Sequence, residues 1–227
     1  MTNANPNAAA GAQSHAYILL DRTGSMGPIW AEALGSVNAY VDALKNPEGS
    51  AAPSENDKVT LAVFDHHGGL QFDLLRRSVA AANWRKVEDV EASPRGMTPL
   101  FDAVARIVAL AEADRPARAV IVIMTDGEEN ASREVTREGA RAALDRARSK
   151  GWEVVFLGAE FARFADADAV GVSGGKSMAM SAGKFDASMR SLASKSRKYF
   201  EEAASMDFNE EDRREAGESD VKRRKGS

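Results

Sequence analysis

The sequence contains no cysteine, which excludes a disulfide framework and any zinc site built on thiolates. It also lacks a long apolar run, since stretches such as "AVIVIM" (119–124) fall far short of the ~20 residues that cross a bilayer. The N-terminal "MTNANPNAAAGAQSH" has neither a basic region nor an apolar core, so it does not resemble a secretion signal. We therefore expect a cytoplasmic protein with no membrane partner.

The chain is also poor in net positive charge. Its 30 Lys and Arg residues stand against 34 Asp and Glu residues, which gives a net charge of −4. A general nucleic-acid binder presents a basic face, so no nucleic-acid partner is expected. A length of 227 residues with 44% hydrophobic residues allows one large domain or two small ones, with a sizeable core.

Short apolar segments alternate with helical periodicity along the chain. Strands are predicted at "AYILL" (16–20), "KVTLAVFD" (58–65), "LQFDLLRR" (70–77), "RAVIVIMTDG" (118–127), "GWEVVFLGA" (151–159) and, more briefly, in "DAVGVSG" (168–174). Helices are predicted after Pro28, after Pro99, over about 132–149 and over roughly 178–204. This order predicts a Rossmann-like, doubly wound α/β fold with helices on both faces of a mostly parallel sheet, whose third strand is an antiparallel edge strand.

We assign residues 15–205 to this single domain. Residues 1–14 are small and polar, and residues 206–227 are charged and nearly devoid of apolar side chains. Both terminal segments are predicted to be disordered, because neither contains enough apolar surface to offset the entropy lost on folding.

Polar residues follow three of the predicted strands, at the carboxyl ends where such sheets place their functional sites. They are "DRTGS" (21–25), "DHH" (65–67) and "TDGEEN" (125–130). In the first, an acid and two hydroxyls at positions i, i+2 and i+4 offer three oxygen ligands from one loop, the donor type that Mg²⁺ prefers. Because hydroxyls are neutral, an ion held there would retain positive charge and attract an outside anion.

This pattern resembles the metal-ion-dependent adhesion site of von Willebrand factor type A (VWA) domains, which combines Asp-x-Ser-x-Ser with a distant Thr and a distant Asp. Asp21, Thr23 and Ser25 match the first part, with Thr in place of the middle Ser. Thr98 in "PRGMTPL" and Asp126 in "IVIMTDGEEN" resemble the distant residues. The resemblance covers about residues 14–204 and implies that these five residues hold Mg²⁺ or Mn²⁺.

The resemblance also implies a function. Thr23 and Ser25 would coordinate the ion directly, Asp21 and Asp126 through water, and Thr98 in either way. The sixth coordination position of the ion would receive a carboxylate from a partner protein. Intracellular relatives commonly act in assemblies with AAA+ ATPases. We therefore expect a non-enzymatic, metal-dependent protein-interaction module, while a domain that keeps the motif without binding metal stays possible.

Several of these residues also have plainer interpretations. Thr98 precedes Pro99 and is well placed to cap a helix, and Asp126 followed by glycine is typical of a turn. Asp65 either supports the site or is only a turn acid. His66 and His67 are adjacent on an extended segment and point apart, which favours a solvent-facing turn over a metal pair.

An enzymatic alternative starts from the same loop. "DRTGS" resembles the "DKTGT" of P-type ATPases, in which the Asp is phosphorylated, so Asp21 could be the nucleophile of a haloacid-dehalogenase-like phosphotransferase or phosphatase. Against it, Thr23 stands where soluble members carry an acid, and only Lys58 and Lys86 are available as the required lysine. "SGGKS" (173–177) suggests a phosphate loop, but Val170 stands where the Walker pattern needs glycine.

Overall fold

A six-stranded sheet forms the centre of the computed structural model, which describes residues 13–46, 57–159, 167–168 and 170–225. Its strands are β1 (Ser14–Asp21), β2 (Asp57–His66), β3 (Leu70–Ala80), β4 (Arg118–Thr125), β5 (Glu153–Ala159) and β6 (Ser177–Met180). Their order across the sheet is β3-β2-β1-β4-β5-β6. β3 pairs antiparallel with β2 at one edge, and all other neighbours are parallel, which confirms the predicted fold class.

Helices cover both faces of the sheet. They are α1 (Trp30–Lys45), α2 (Leu100–Asp114), α3 (Arg137–Ser149), α4 (Phe185–Glu202), α5 (Glu210–Glu215) and α6 (Glu218–Lys225). Ile18 and Leu20 of β1 pack in the core beneath α1 and α4, whereas Tyr17 and Leu19 pack in the core beneath α2 and α3. Because both faces of β1 are buried, its sequence is apolar without alternation. None of the described helices is long and apolar enough to cross a membrane.

The last strand and the last long helix lie elsewhere than predicted. β6 occupies Ser177–Met180, which overlaps the start of the span predicted as helix, and α4 begins only at Phe185. The described part of 168–174 forms no strand. Met178 and Met180 both enter the core beneath α1 and α4, a two-residue period that marks a strand but is too short to recognise beside a helical pattern.

The segment after residue 205 folds against the sheet, contrary to the predicted disorder. Met206, Phe208, Ala216 and Val221 are at most 6% exposed. The backbone N–H of Ser181, just beyond β6, donates to the Ala216 carbonyl at 2.9 Å. Few apolar residues suffice here because three of these four, Met206, Phe208 and Ala216, reach a core that the rest of the chain has already formed.

These contacts also bear on the domain limits. Ser14, assigned to the N-terminal arm, is the first residue of β1. Residues 1–12 of that arm lie outside the described residues. We propose that the domain begins at Ser14 and extends beyond residue 205.

Replacing Phe208 by alanine is expected to destabilise the protein by roughly 3 kcal/mol, the usual cost of truncating a buried aromatic side chain. Phe208 is 6% exposed and belongs to the core beneath α1 and α4. Urea denaturation would measure the change. Glu210→Ala, which truncates an exposed side chain of the same segment, is the control and should shift stability by less than about 0.5 kcal/mol. Equal stability of the two variants would show that the segment is not packed.

Candidate metal centre

The loop after β1 contributes the first three side chains of the site. Asp21 ends β1 with no exposed surface, and its Oδ1 accepts a hydrogen bond from the Thr23 N–H at 2.7 Å. The chain then enters a short 3-10 helix, Gly24–Ile29. Thr23 is buried and Ser25 is exposed, and their hydroxyl oxygens lie 3.2 Å apart. The loop therefore presents one hydroxyl to solvent above a buried acid.

Thr98 and Asp126 join this loop from other parts of the fold. β4 runs parallel to β1, so Asp126, which follows β4, lies beside the end of β1. Ser25 Oγ donates to Asp126 Oδ1 at 2.8 Å, and Thr98 Oγ1 lies 3.4 Å from Thr23 Oγ1. The structure thus brings all five sequence-predicted residues into one hydrogen-bonded cluster.

Gly127 leaves space beside this cluster. A Cβ at this position would lie 3.0 Å from Thr98 Oγ1, 3.6 Å from Ser25 Oγ and 3.8 Å from Asp21 Oδ2. The φ angle of Gly127 is not in the left-handed region. A side chain at this position would therefore crowd Thr98 Oγ1, whereas the backbone conformation is one that any residue adopts.

A further hydroxyl belongs to the site. Thr125, the last residue of β4, donates from Oγ1 to Asp21 Oδ2 at 2.5 Å. Thr125 Oγ1 also accepts a hydrogen bond from the Gly127 N–H, at 3.1 Å. Sequence reasoning missed this residue, although its place at the strand end, directly before Asp126, was the available signal.

The position of Thr98 is set by a second overlooked residue, Asn130. The Thr98 N–H donates to Asn130 Oδ1 at 2.9 Å, and the Asn130 N–H donates to the Thr98 carbonyl at 3.1 Å. The Phe101 N–H at the start of α2 is instead taken by Glu129 Oε2 and Ser132 Oγ, each at 3.0 Å. Thr98 makes no helix-capping hydrogen bond, so that plainer interpretation is wrong.

The two acids of the site have no cationic partner among the described residues. Burial raises the pKa of Asp21 to about 7, although hydrogen bonds from Thr125 and Thr23 act in the opposite direction. Burial also raises the pKa of Asp126, against the hydrogen bond from Ser25. Two buried carboxylates without a counter-charge are costly, and a bound cation would remove this cost.

The remaining sequence motifs do not extend the site. His66 ends β2 and is buried, contrary to the predicted solvent-facing turn, whereas His67 is exposed. Lys176 of "SGGKS" forms ion pairs with Glu153 at 2.8 Å and Asp207 at 3.5 Å, so its amine has a structural role. The described residues contain no group of three or more His, Cys, Asp or Glu that could hold a metal ion. A metal at the cluster would therefore depend on the hydroxyls.

The sequence profile of the von Willebrand factor type A domain matches residues 16–211. The chain belongs to this family. VWA domains are generally metal-dependent adhesion or protein-interaction modules and typically are not enzymes. No curated protein sequence matches this VWA domain significantly.

Solved structures share the fold of this VWA domain. The vWF domain of the type V pili tip protein Mfa5 from Porphyromonas gingivalis is 11% identical, over 81% of this chain and 95% of that chain, with a TM-score of 0.59. The pilus adhesin SpaC from Lactobacillus rhamnosus GG is 16% identical, over 83% of this chain and 31% of that chain, with a TM-score of 0.60. Proximal thread matrix protein 1 from the mussel byssus is 14% identical, over 81% of this chain and 46% of that chain, with a TM-score of 0.55. This VWA domain thus spans less than half of the latter two chains, and the likeness concerns the fold alone.

Proposed function

We propose that this VWA domain binds Mg²⁺ or Mn²⁺ through Asp21, Thr23, Ser25, Thr98 and Asp126, and through that ion a carboxylate of a partner protein. The observation that supports the proposal most strongly is the convergence, beside Gly127, of three hydroxyls and two carboxylates that have no cationic partner among the described residues. No nitrogen or sulfur ligand takes part. A donor set made only of oxygen suits a hard divalent cation.

The residues of the site would have different roles in this binding. The ion, when bound, supplies a positive charge that attracts an anionic ligand. Thr23 and Ser25 hold it without neutralising it, since hydroxyls carry no charge. Ser25 is exposed while Asp21, Thr98 and Asp126 are at most 4% exposed. A partner carboxylate would therefore approach from the side of Ser25, with the acids beneath.

We further propose that the protein acts as a non-enzymatic module in the cytoplasm, within an assembly that includes an AAA+ ATPase. This setting rests on the family resemblance. The phosphotransferase alternative has no support among the related proteins. Its proposed nucleophile, Asp21, has no exposed surface, and both of its carboxylate oxygens accept hydrogen bonds, from Thr23 and Thr125. Such a carboxylate is poorly placed to attack a phosphate.

Calorimetric titration of Mn²⁺ tests the metal, with Gly127→Ala as the decisive variant. We expect wild-type protein to bind one ion, and the variant to bind it at least about tenfold more weakly, in the range seen when the surroundings of metal ligands are altered. The added methyl would stand 3.0 Å from Thr98 Oγ1, without changing any proposed ligand.

Gly174→Ala is the matched control, because a Cβ at Gly174 would meet no atom within 4 Å. It should bind Mn²⁺ as wild type does. Absence of binding by wild-type protein would overturn the proposed function. Affinity capture from cell extract in Mg²⁺, in EDTA and with Asp21→Ala tests the partner. A specific partner lost in both the EDTA and the Asp21→Ala samples supports the bridging ion, and one retained in both contradicts it.

A further inference from the structure

Arg22 lies between two proposed ligands, but its side chain reaches other residues. Its Nε donates to Asp65 Oδ2 at 2.8 Å, and its Nη2 donates to the same oxygen and, at 2.7 Å, to Asp73 Oδ2. Arg22 is 5% exposed and Asp65 is fully buried. The loop that presents Thr23 and Ser25 is thereby attached to the end of β2 by a buried ion pair.

Asp65 also contacts the segment that leads to Thr98. Arg95 Nε lies 3.3 Å from Asp65 Oδ1. Two backbone hydrogen bonds run in parallel with this contact: the Arg95 N–H donates to the Arg22 carbonyl at 2.9 Å, and the Gly24 N–H donates to the Gly96 carbonyl at 3.3 Å. One carboxylate therefore joins the two segments on which the proposed hydroxyl ligands are placed.

Gly96 shows how closely these segments approach. Its φ is +70°, in the left-handed region, and a Cβ would lie 2.3 Å from the His66 carbonyl oxygen. Any other residue would push this segment away from the end of β2. The close backbone contact between Gly96 and His66 fixes the segment before Thr98 against β2. When Asp65 is paired with Arg22 and Arg95, Thr98 therefore has little freedom to move relative to β2.

We propose that Arg22, Asp65 and Arg95 are positioning residues of the metal site. By bridging two guanidinium groups, Asp65 sets the distance between the hydroxyls of Thr23 and Thr98, which lie 3.4 Å apart. This inference rests on the proposed function. Its physical basis is that a paired arginine and carboxylate restrict geometry more than they add net stability. It also assigns a role to Asp65, for which the sequence allowed either a supporting residue or a turn acid.

Two variants test the inference, and Arg76→Gln is the control. Asp65→Asn keeps the size of the side chain and removes its charge, and Arg22→Lys keeps the charge but loses the planar set of donors. Arg76→Gln breaks the ion pair with Glu91, whose two hydrogen bonds measure 2.6 and 2.9 Å. The hydrogen bonds described for Arg76 go to Leu75, Arg85, Lys86 and Glu91 and not to residues of the two segments. The readouts are Mn²⁺ affinity and hydrogen exchange of amides 22–25 and 96–98 in EDTA.

We expect Asp65→Asn to bind Mn²⁺ about 10–100-fold more weakly, as happens when groups that orient metal ligands are removed. Arg22→Lys should fall between this variant and wild type, and it remains informative if Asp65→Asn does not fold. In EDTA the two segments should exchange faster in both variants, while amides of β4 keep wild-type rates. Arg76→Gln should match wild type in affinity and in exchange.

Wild-type affinity and exchange in Asp65→Asn and Arg22→Lys would overturn the inference. Faster exchange throughout β4 as well would also overturn it, because the ion pair would then support the whole fold. If wild-type protein binds no Mn²⁺, the proposed function fails. The exchange measured in EDTA still decides whether Arg22 and Asp65 order the two segments.

Discussion

Asp21→Asn is expected to raise the thermal stability of the protein in EDTA and to abolish its stabilisation by Mg²⁺. In EDTA the variant replaces a buried carboxylate that has no described cationic partner with a neutral group of the same size. The asparagine oxygen can still accept from the Thr23 N–H, and its amide can donate to Thr125 Oγ1. In Mg²⁺ the wild type gains the binding free energy, and the variant does not.

The expected gain of the wild type is about 2.7 kcal/mol at a Mg²⁺ concentration of 100 times Kd. For a domain of this size that corresponds to a rise in Tm of about 5–10 °C. Differential scanning calorimetry at pH 8 measures both conditions. At that pH the Asp21 carboxyl is charged in the folded protein, since burial raises its pKa to about 7. The buried charge of Asp21 lowers the stability of the folded protein by its full amount above pH 7. This loss of stability becomes smaller as the pH decreases towards 3.8, the ordinary pKa of an aspartate.

Asp145→Asn is the control for this experiment, because Asp145 is an exposed acid on α3 whose side chain is 58% exposed. It should respond to Mg²⁺ as wild type does. An Asp21→Asn variant that gains as much stability in Mg²⁺ as wild type would contradict the proposed role of the acid. A large loss of stability in EDTA would show that the carboxylate supports the fold even without a cation.

Acidification from pH 6.5 to pH 4 is expected to cost about 3 kcal/mol of stability through His15. Burial lowers the pKa of His15 from 6.5 to about 4. In this range the unfolded chain takes up a proton that the folded protein does not, so stability falls as the pH decreases and levels off below pH 4. A difference of about 2.5 in pKa, at about 1.36 kcal/mol per unit, gives this magnitude.

The surroundings of His15 explain the direction of the shift. Its ring has no exposed surface and stacks on Tyr17 with 4.0 Å between centroids. Nε2 lies 2.8 Å from Thr60 Oγ1, and Nδ1 has no partner among the described residues. Asp114 would favour a protonated ring, but its carboxylate is paired with Arg77. Lys58, which stands opposite His15 on the neighbouring strand β2, further disfavours a positive charge on the ring.

Urea unfolding at several pH values between 4 and 7 measures this effect in wild type and in His15→Gln. The difference between the two curves removes the contribution of the carboxylates, which titrate in the same range. His67→Gln, at an exposed histidine, should follow wild type. A difference curve for His15→Gln that stays flat across the range would contradict the buried, neutral state of the ring.

Much of the fold followed from patterns that are local in the chain. "AYILL" predicted a fully buried strand, "AVIVIM" predicted the most apolar strand, and the alternation with helices predicted the doubly wound sheet. β6 and the segment after Met206 were predicted wrongly for different reasons. β6 has only 4 residues, too few for a period to emerge. Phe208 is an isolated apolar residue in a charged stretch, and its burial depends on a core built by the rest of the chain.

The chemistry of the site and its place in the fold were also accessible from local spacing. Asp21, Thr23 and Ser25 occupy one short loop, and the carboxyl ends of parallel strands meet at one edge of a sheet. The hydrogen-bond and ion-pair partners of this loop could not be predicted from local spacing. Thr125 is 104 positions from Asp21, and Asp65 is 43 positions from Arg22. Strand register and helix packing choose such partners, because hydrogen bonds and ion pairs form by distance in space and not by distance along the chain.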